Sequence, residues 1–178
     1  IGPQTFNVAR TVVLASDLPI EVPGVTVDRQ CGSGQQAIHF AAQAVMSGNQ
    51  DMIIAGGVEN MSMTPIGSPL LVAAKAGMRT PFDGAAISAR YPGVEFSQFV
   101  GAERMATKYG VSRDDLENFA YQSHMKGAAA YDDNRFDREI VPVNVEVEGE
   151  QVVHNVDEGL RRSASLEAIQ GLEPLQEG

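Results

Sequence analysis

Cys31 is the single cysteine of the chain and lies in Val-Asp-Arg-Gln-Cys-Gly-Ser-Gly-Gln-Gln-Ala-Ile, where a strand pattern gives way to a helical one. A thiol in the first turn of a helix faces unpaired backbone N–H groups and the positive end of the helix dipole. Such surroundings favour the thiolate, the nucleophilic form of cysteine. Gly32 and Gly34 lack Cβ atoms, so a substrate could come close to the backbone there. The pattern predicts a reactive cysteine. The competing reading is a small buried hydrophobe, the common fate of a lone intracellular cysteine.

Few other side chains could assist that thiol. Three histidines are present. His39 falls eight residues along the same predicted helix, about 12 Å up its axis and nearly a quarter-turn round, beyond hydrogen-bond reach. It reads as a packed or surface residue. His124 in a helix and His154 in a hairpin read as exposed. The Arg161–Arg162 pair, close to Asp157 and Glu158, reads on its own as a solvated charge cluster.

The elements that must position these residues emerge from periodicity. Phe6, Val8, Ala9, Val12 and Val13 predict an amphipathic helix over 4–17, ended by Asp17 and Pro19. Residues 24–28 predict a short strand and 31–47 a helix closed by Ser47-Gly48-Asn49. The apolar run 51–57 predicts a buried strand, which completes a βαβ unit and a parallel sheet covered by helices. Residues 62–95 are rich in proline and glycine and read as a long functional loop. Two helices are expected next, at 97–109 and 113–131. Ser112 and Asp115 form a capping box for the second, whose packing face would be Leu116, Phe119, Ala120, Ser123 and Gly127. Alternating valines from Val141, a turn at Glu148-Gly149-Glu150 and the returning Val152 and Val153 predict a hairpin over 140–154, with Pro142 putting its first strand at an edge.

Composition limits the function classes. The chain has 178 residues and 43% hydrophobic content, enough for one domain with a core. Lys plus Arg number 13 against 23 Asp plus Glu, a formal charge of −10. This acidity, without a basic run, argues against nucleic acid or an anionic membrane as partner. A phosphorylated ligand would need a local basic patch. No apolar stretch approaches the ~20 residues of a membrane span, and a single cysteine suits a reducing compartment, so a cytoplasmic location is expected. Ile1-Gly-Pro at the start and Glu177-Gly178 at the end suggest an internal piece of a longer protein.

Residues 27–65, with Cys-Gly-Ser-Gly succeeded at a fixed interval by Ala-Gly-Gly-Val-Glu-Asn-Met-Ser, resemble the nucleophile segment of thiolases. The similarity continues through Gly101-Ala-Glu-Arg-Met-Ala, Ser112-Arg-Asp-Asp-Leu, Phe136-Asp-Arg-Glu-Ile-Val-Pro and Asp157-Glu-Gly-Leu-Arg161. It implies an acyl-CoA C-acyltransferase and a layered α/β thiolase-like fold, present in part, with an inserted α+β loop domain. The implied division is 1–57 for the nucleophile-bearing α/β part, 58–165 for the inserted CoA-binding region and 166–178 for the return toward the α/β part.

The resemblance also assigns roles. Cys31 becomes the acyl-accepting nucleophile, its backbone N–H helping to bind the thioester oxyanion. Arg161 aligns with an arginine that lies against the nucleotide part of CoA, where a planar guanidinium can stack on adenine and pair with phosphate. Met63 and Phe99 could line the pantetheine path, with buried packing as the plainer reading of each. The activating histidine, a water-holding asparagine and a second cysteine come in thiolases from a C-terminal half whose motifs do not occur here. The implied partners are acyl-CoA, CoA and that second half, within a homodimer or homotetramer. CoA enters as substrate and product, and neither a resident cofactor nor a metal is implied. One departure is Glu95-Phe-Ser-Gln-Phe-Val, where many thiolases carry Tyr-His-Met-Gly, so a histidine contact to CoA is lost. Two other readings are a non-catalytic acyl-CoA-binding protein and a condensing enzyme that uses carrier-bound acyl chains. The intact Cys31-Gly-Ser-Gly argues against the first, and Gly56-Gly-Val-Glu-Asn-Met-Ser62 against the second.

Overall fold

The computed structural model describes residues 2–175, which belong to two compact units, Ile1–Pro92 and Gly93–Gly178. Ile1 and the end of the expected 166–178 segment, at 176–178, lie outside the described residues. Among those residues the fold is mainly helical with one small antiparallel sheet.

The first unit opens on a 3-10 turn, Gly2–Gln4, and contains α1 (Val8–Leu14), α2 (Ser33–Met46), α3 (Ser68–Lys75) and α4 (Ala85–Arg90). The helix expected over 4–17 is shorter because Phe6 takes a left-handed φ of 58° and Asn7 is the N-cap of α1. Asn7 Oδ1 accepts the Arg10 N–H at 3.1 Å, while Asn7 Nδ2 donates to the Gly24 carbonyl at 2.7 Å. Thr26 Oγ1 donates to Asn7 Oδ1 and accepts the Ala9 N–H. Arg10 Nη1 donates to the carbonyls of Ile20 and Val22, at 2.6 and 2.9 Å. Segment 20–26 is therefore clasped to α1.

That clasp corrects the expectation of a strand at 24–28. Neither 24–28 nor 51–57 has regular hydrogen-bonded structure, and the nearest pairing is an isolated bridge between Arg29 and Cys31. A strand is defined by the ladder it shares with a neighbour. No such neighbour occurs among the described residues, so the expected parallel sheet is absent from them. The long loop needs a correction as well. Gly67, at φ 83°, caps α3, and Pro69 sits in its first turn, where a missing N–H costs nothing. These residues are helix-starting signals within the stretch read as irregular. The end of α2 matches expectation: Gly48 has φ 75°, its N–H reaches the Val45 carbonyl, and the Asn49 N–H reaches the Ala44 carbonyl. This is a Schellman closure.

The second unit contains α5 (Gln98–Tyr109), α6 (Arg113–Asp132), β1 (Val143–Val147), β2 (Glu150–His154) and α7 (Leu166–Gln170). The expected capping box is present. Ser112 Oγ accepts the Asp115 N–H, and the Asp115 carboxylate accepts from both the N–H and the hydroxyl of Ser112. The hairpin forms with Val145 opposite Val152 and Val147 opposite Glu150. Its two turn residues, Glu148 at φ 53° and Gly149 at φ 86°, are both left-handed, as a type I′ turn requires. Glu150 thus begins β2 rather than completing the turn.

The packing face of α6 is rotated from the expected one. Leu116 and Phe119 are exposed, and the stripe in use runs through Arg113, Glu117, His124, Gly127 and Tyr131. Gly127 belongs to both faces, with Leu160 packed over it, while the other contacts of the stripe are polar and left no mark in apolar periodicity. Arg113 binds Glu117 through Nε at 2.5 Å and gives Nη2 to the Leu172 and Gln170 carbonyls at 2.7 and 3.3 Å, which seats α7.

The expected core is not closed. Val13 is the one buried hydrophobic residue among those described. The accessible surface is 15087 Å², whereas two independent globular units of half this mass would expose about 10,000 Å² together. Ile38, Phe40 and Met46 of α2 are exposed, spread over more than one face of the helix. No helix among the described residues is long and apolar enough to cross a membrane.

Candidate functional site

Cys31 lies at a bend built by its neighbours. Asp28 Oδ1 accepts the Gln30 N–H at 3.0 Å, and Gln30 takes a left-handed φ of 52°. The chain then closes on itself: Gly32 N–H reaches the Arg29 carbonyl and Ser33 N–H the Gln30 carbonyl, both at 3.1 Å. Ser33 Oγ donates to the Gln30 carbonyl at 2.6 Å and accepts the Arg29 N–H at 2.8 Å. The helix starts with Gly32 as its N-cap, so Cys31 precedes the cap instead of lying in the first turn.

The thiol is exposed and free, which overturns the buried-hydrophobe reading. A Cβ on Gly34 would meet nothing within 4 Å, whereas one on Gly32 would lie 3.4 Å from the Arg29 carbonyl oxygen. The Arg29 side chain crosses this helix start to Gln36, at 2.5 Å. Ser33 therefore orders the bend, a role that residue spacing alone did not assign. Its signal was a hydroxyl residue within reach of backbone groups just before it.

Met63 lies in the same unit, on the turn after the Gly-Gly-Val-Glu-Asn-Met-Ser motif. Asn60 shapes this turn, its Oδ1 accepting the Met63 N–H at 3.0 Å and its carbonyl accepting from Gln4 Nε2 at 3.0 Å. Met63 is exposed, which corrects its buried reading. His39 is exposed on α2.

Arg161 and Phe99 belong to the second unit. Phe99 is half-exposed at the start of α5, again contrary to buried packing. Arg161 sits in a loop laid against α6. Tyr131 Oη accepts the Asp157 N–H at 3.1 Å, Asp157 Oδ1 accepts the Gly159 N–H at 2.8 Å, and His124 Nδ1 accepts the Arg161 N–H at 3.2 Å. Leu160 fills the space over Gly127, where a Cβ would lie 2.9 Å from Leu160 Cδ1. His124 is thus half-buried and engaged, a correction to its exposed reading; His154 is exposed in β2 as expected.

The two adjacent arginines part company here. Arg162 is committed, with Nη1 2.6 Å from Asp132 Oδ1 and its guanidinium 5.6 Å from the Tyr131 ring centre. The Arg161 side chain is exposed and has no ion-pair partner among the described residues. Arg162 is half-exposed, as a solvated charge would be, but its ion-pair partner is Asp132 of α6 rather than Asp157 or Glu158. Only the 124/127/131 spacing, one face of a helix, could have signalled this cradle in sequence.

The chain matches the family described as thiolase, N-terminal domain, over residues 2–177. It is similar to a steroid 3-ketoacyl-CoA thiolase of Mycobacterium tuberculosis H37Rv, with 48% identity over all of this chain and 43% of that protein. A protein of Staphylococcus aureus strain COL named "probable acetyl-CoA acyltransferase" is 36% identical over 96% of this chain and 44% of its own length. The same-named protein of strain MSSA476 is 35% identical over the same shares. The chain spans less than half the length of these curated relatives.

Proposed function

The chain belongs to the thiolase N-terminal domain family, and on that premise we propose that it is the nucleophile-bearing half of an acyl-CoA C-acyltransferase. The observation that carries this reading is the exposed Cys31 thiol at a glycine-flanked bend ahead of α2. Acyltransferase names among the relatives support the reaction class, and the fold class it brings is α/β and thiolase-like.

In the degradative direction, the Cys31 thiolate attacks the 3-keto carbonyl of a 3-ketoacyl-CoA. The C2–C3 bond breaks, C2 leaves with the electron pair and takes up a proton, and acetyl-CoA is released. A CoA thiol then attacks the acyl-cysteine thioester, freeing acyl-CoA and restoring the thiol. In the condensing direction each bond change is reversed. Cys31 is the single cysteine of the chain and His39 is exposed on α2, so the base and the α-proton acceptor are assigned to a second half of the protein. The exposed apolar residues of α2 and the large accessible surface support such a covering partner, within a homodimer or homotetramer.

For CoA, Arg161 meets the nucleotide and Met63 and Phe99 border the pantetheine. The exposure of all three supports availability. We keep 1–57 as the nucleophile part, 58–165 as the inserted CoA-binding part and 166–178 as the return to the first.

The test uses bromoacetyl-CoA, which alkylates a thiolate with loss of bromide and so needs no second half. Intact mass should reveal one adduct, formed faster than with bromoacetamide, suppressed by free CoA and lost in Cys31→Ala. Equal rates for the two reagents, or no protection by CoA, would refute a CoA-directed Cys31.

A further inference from the structure

We propose that His124 is a positioning residue for Arg161, holding the 157–162 loop on α6 so that the Arg161 guanidinium is offered to the phosphorylated nucleotide of CoA. The inference rests on the proposed CoA role of Arg161 and adds a residue to it.

The loop is attached at four points. Asp157 N–H reaches Tyr131 Oη, Leu160 packs over Gly127, Arg161 N–H reaches His124 Nδ1, and Arg162 pairs with Asp132. His124, Gly127 and Tyr131 occupy one face of α6, spaced by three and four residues. Three of these attachments hold the residues on either side of Arg161. Only the His124 bond holds Arg161 itself, and it does so through the backbone, which leaves the side chain free. Ala164 N–H then reaches the Arg161 carbonyl at 3.1 Å, so both backbone polar groups of Arg161 are engaged.

The geometry of that bond defines what the histidine supplies. Nδ1 is the acceptor, 3.2 Å from the Arg161 nitrogen, so any replacement must offer an acceptor at that place. An arginine that must meet a phosphate or an adenine face gains from a backbone fixed beforehand, because less freedom is lost on binding. In a −10 chain, one presented guanidinium is also the kind of local positive site a polyphosphate ligand requires.

The experiment titrates CoA into the intact chain by calorimetry and monitors the Arg161 amide by 15N NMR hydrogen exchange in ligand-free samples. Four proteins are compared: the unaltered chain, Arg161→Ala, His124→Ala and His124→Asn, whose Oδ1 can replace Nδ1 as acceptor. Arg161→Ala should weaken CoA binding about tenfold or more, the loss of a charge-assisted contact. His124→Ala should weaken it about three- to tenfold, and His124→Asn should restore it to within about twofold. Exchange at the Arg161 amide should accelerate in His124→Ala and return to normal in His124→Asn.

Unchanged CoA affinity in His124→Ala, beside a weakened Arg161→Ala, would overturn the positioning role and leave the CoA reading standing. Equal weakening in both histidine variants would overturn it too, since the imidazole would then act by packing rather than as an acceptor. Unchanged affinity in Arg161→Ala, or no binding by the unaltered chain, would overturn the CoA reading and the role of His124 with it.

Discussion

Replacing Arg113 with alanine should uncouple α7 from α6 and lower the stability of the Gly93–Gly178 unit by about 2–3 kcal/mol. The guanidinium makes three contacts, to Glu117 Oε1 and to the carbonyls of Leu172 and Gln170. The Arg113 side chain is 52% exposed, so the attraction to Glu117 is itself worth no more than about 1 kcal/mol. The larger cost comes from the partner left behind. Glu117 is only 10% exposed, and without Arg113 its carboxylate would be nearly buried and unpaired, a penalty of about 1–3 kcal/mol. Loss of the strong 2.7 Å bond to Leu172 adds the remainder.

For a unit of this size, each kcal/mol moves the melting temperature by about 4–8 °C, so a drop of roughly 10–20 °C is expected in circular dichroism. Repeating Arg113→Ala in a Glu117→Leu background separates the two contributions. There the penalty for an unpaired carboxylate is absent, and the arginine truncation should cost about 1 kcal/mol less. A melting shift under about 2 °C, or the same cost in both backgrounds, would refute the reasoning.

Local geometry sets two further outcomes. The Ser112 hydroxyl, and then its backbone N–H, hold the Asp115 carboxyl below the ordinary carboxylate range. A carboxyl lowered in the folded state contributes stability above its unfolded value, and this is lost as pH falls below about 4. The acid limb of an α6 helicity titration should therefore flatten in Asp115→Asn; an unchanged limb would count against the capping box as its source. Gly24→Ala would put a Cβ 2.7 Å from Arg10 N and 2.9 Å from the Ala9 carbonyl carbon, both backbone atoms that cannot rotate away. A loss of about 1–3 kcal/mol by urea denaturation is expected, and an unshifted midpoint would show that the clasp on α1 is not tight.

Features fixed within a few residues were legible in the sequence of this protein. The Schellman end at Gly48, the Ser112–Asp115 box and the hairpin about Glu148-Gly149 each depend on groups at most five residues apart, so residue type and spacing decide them. The bend that exposes Cys31 is equally local, since Asp28, Gln30 and Ser33 make it, yet the sequence pattern put Cys31 in the first helical turn and gave Ser33 no part. The helices α3 and α4 were also local, but the density of proline and glycine around them hid their caps.

Other features needed tertiary structure. The runs 24–28 and 51–57 have strand composition, yet composition does not provide the neighbour that a ladder requires. The Gly24 carbonyl and the Thr26 hydroxyl bond to Asn7 at the start of α1 instead. Of the expected face of α6 only Gly127 is shared with the observed one, because the rest of the work is done by hydrogen bonds that Arg113 donates and His124 and Tyr131 accept, which leave no mark in apolar periodicity. Arg161 and Arg162 are alike in sequence, and only the folding of their loop onto a helix 30 or more residues earlier separates them. Sequence determined which residues could carry the chemistry, because residue type sets reactivity. Tertiary structure decided which of them are held and which are presented, because that depends on partners the chain brings near from a distance.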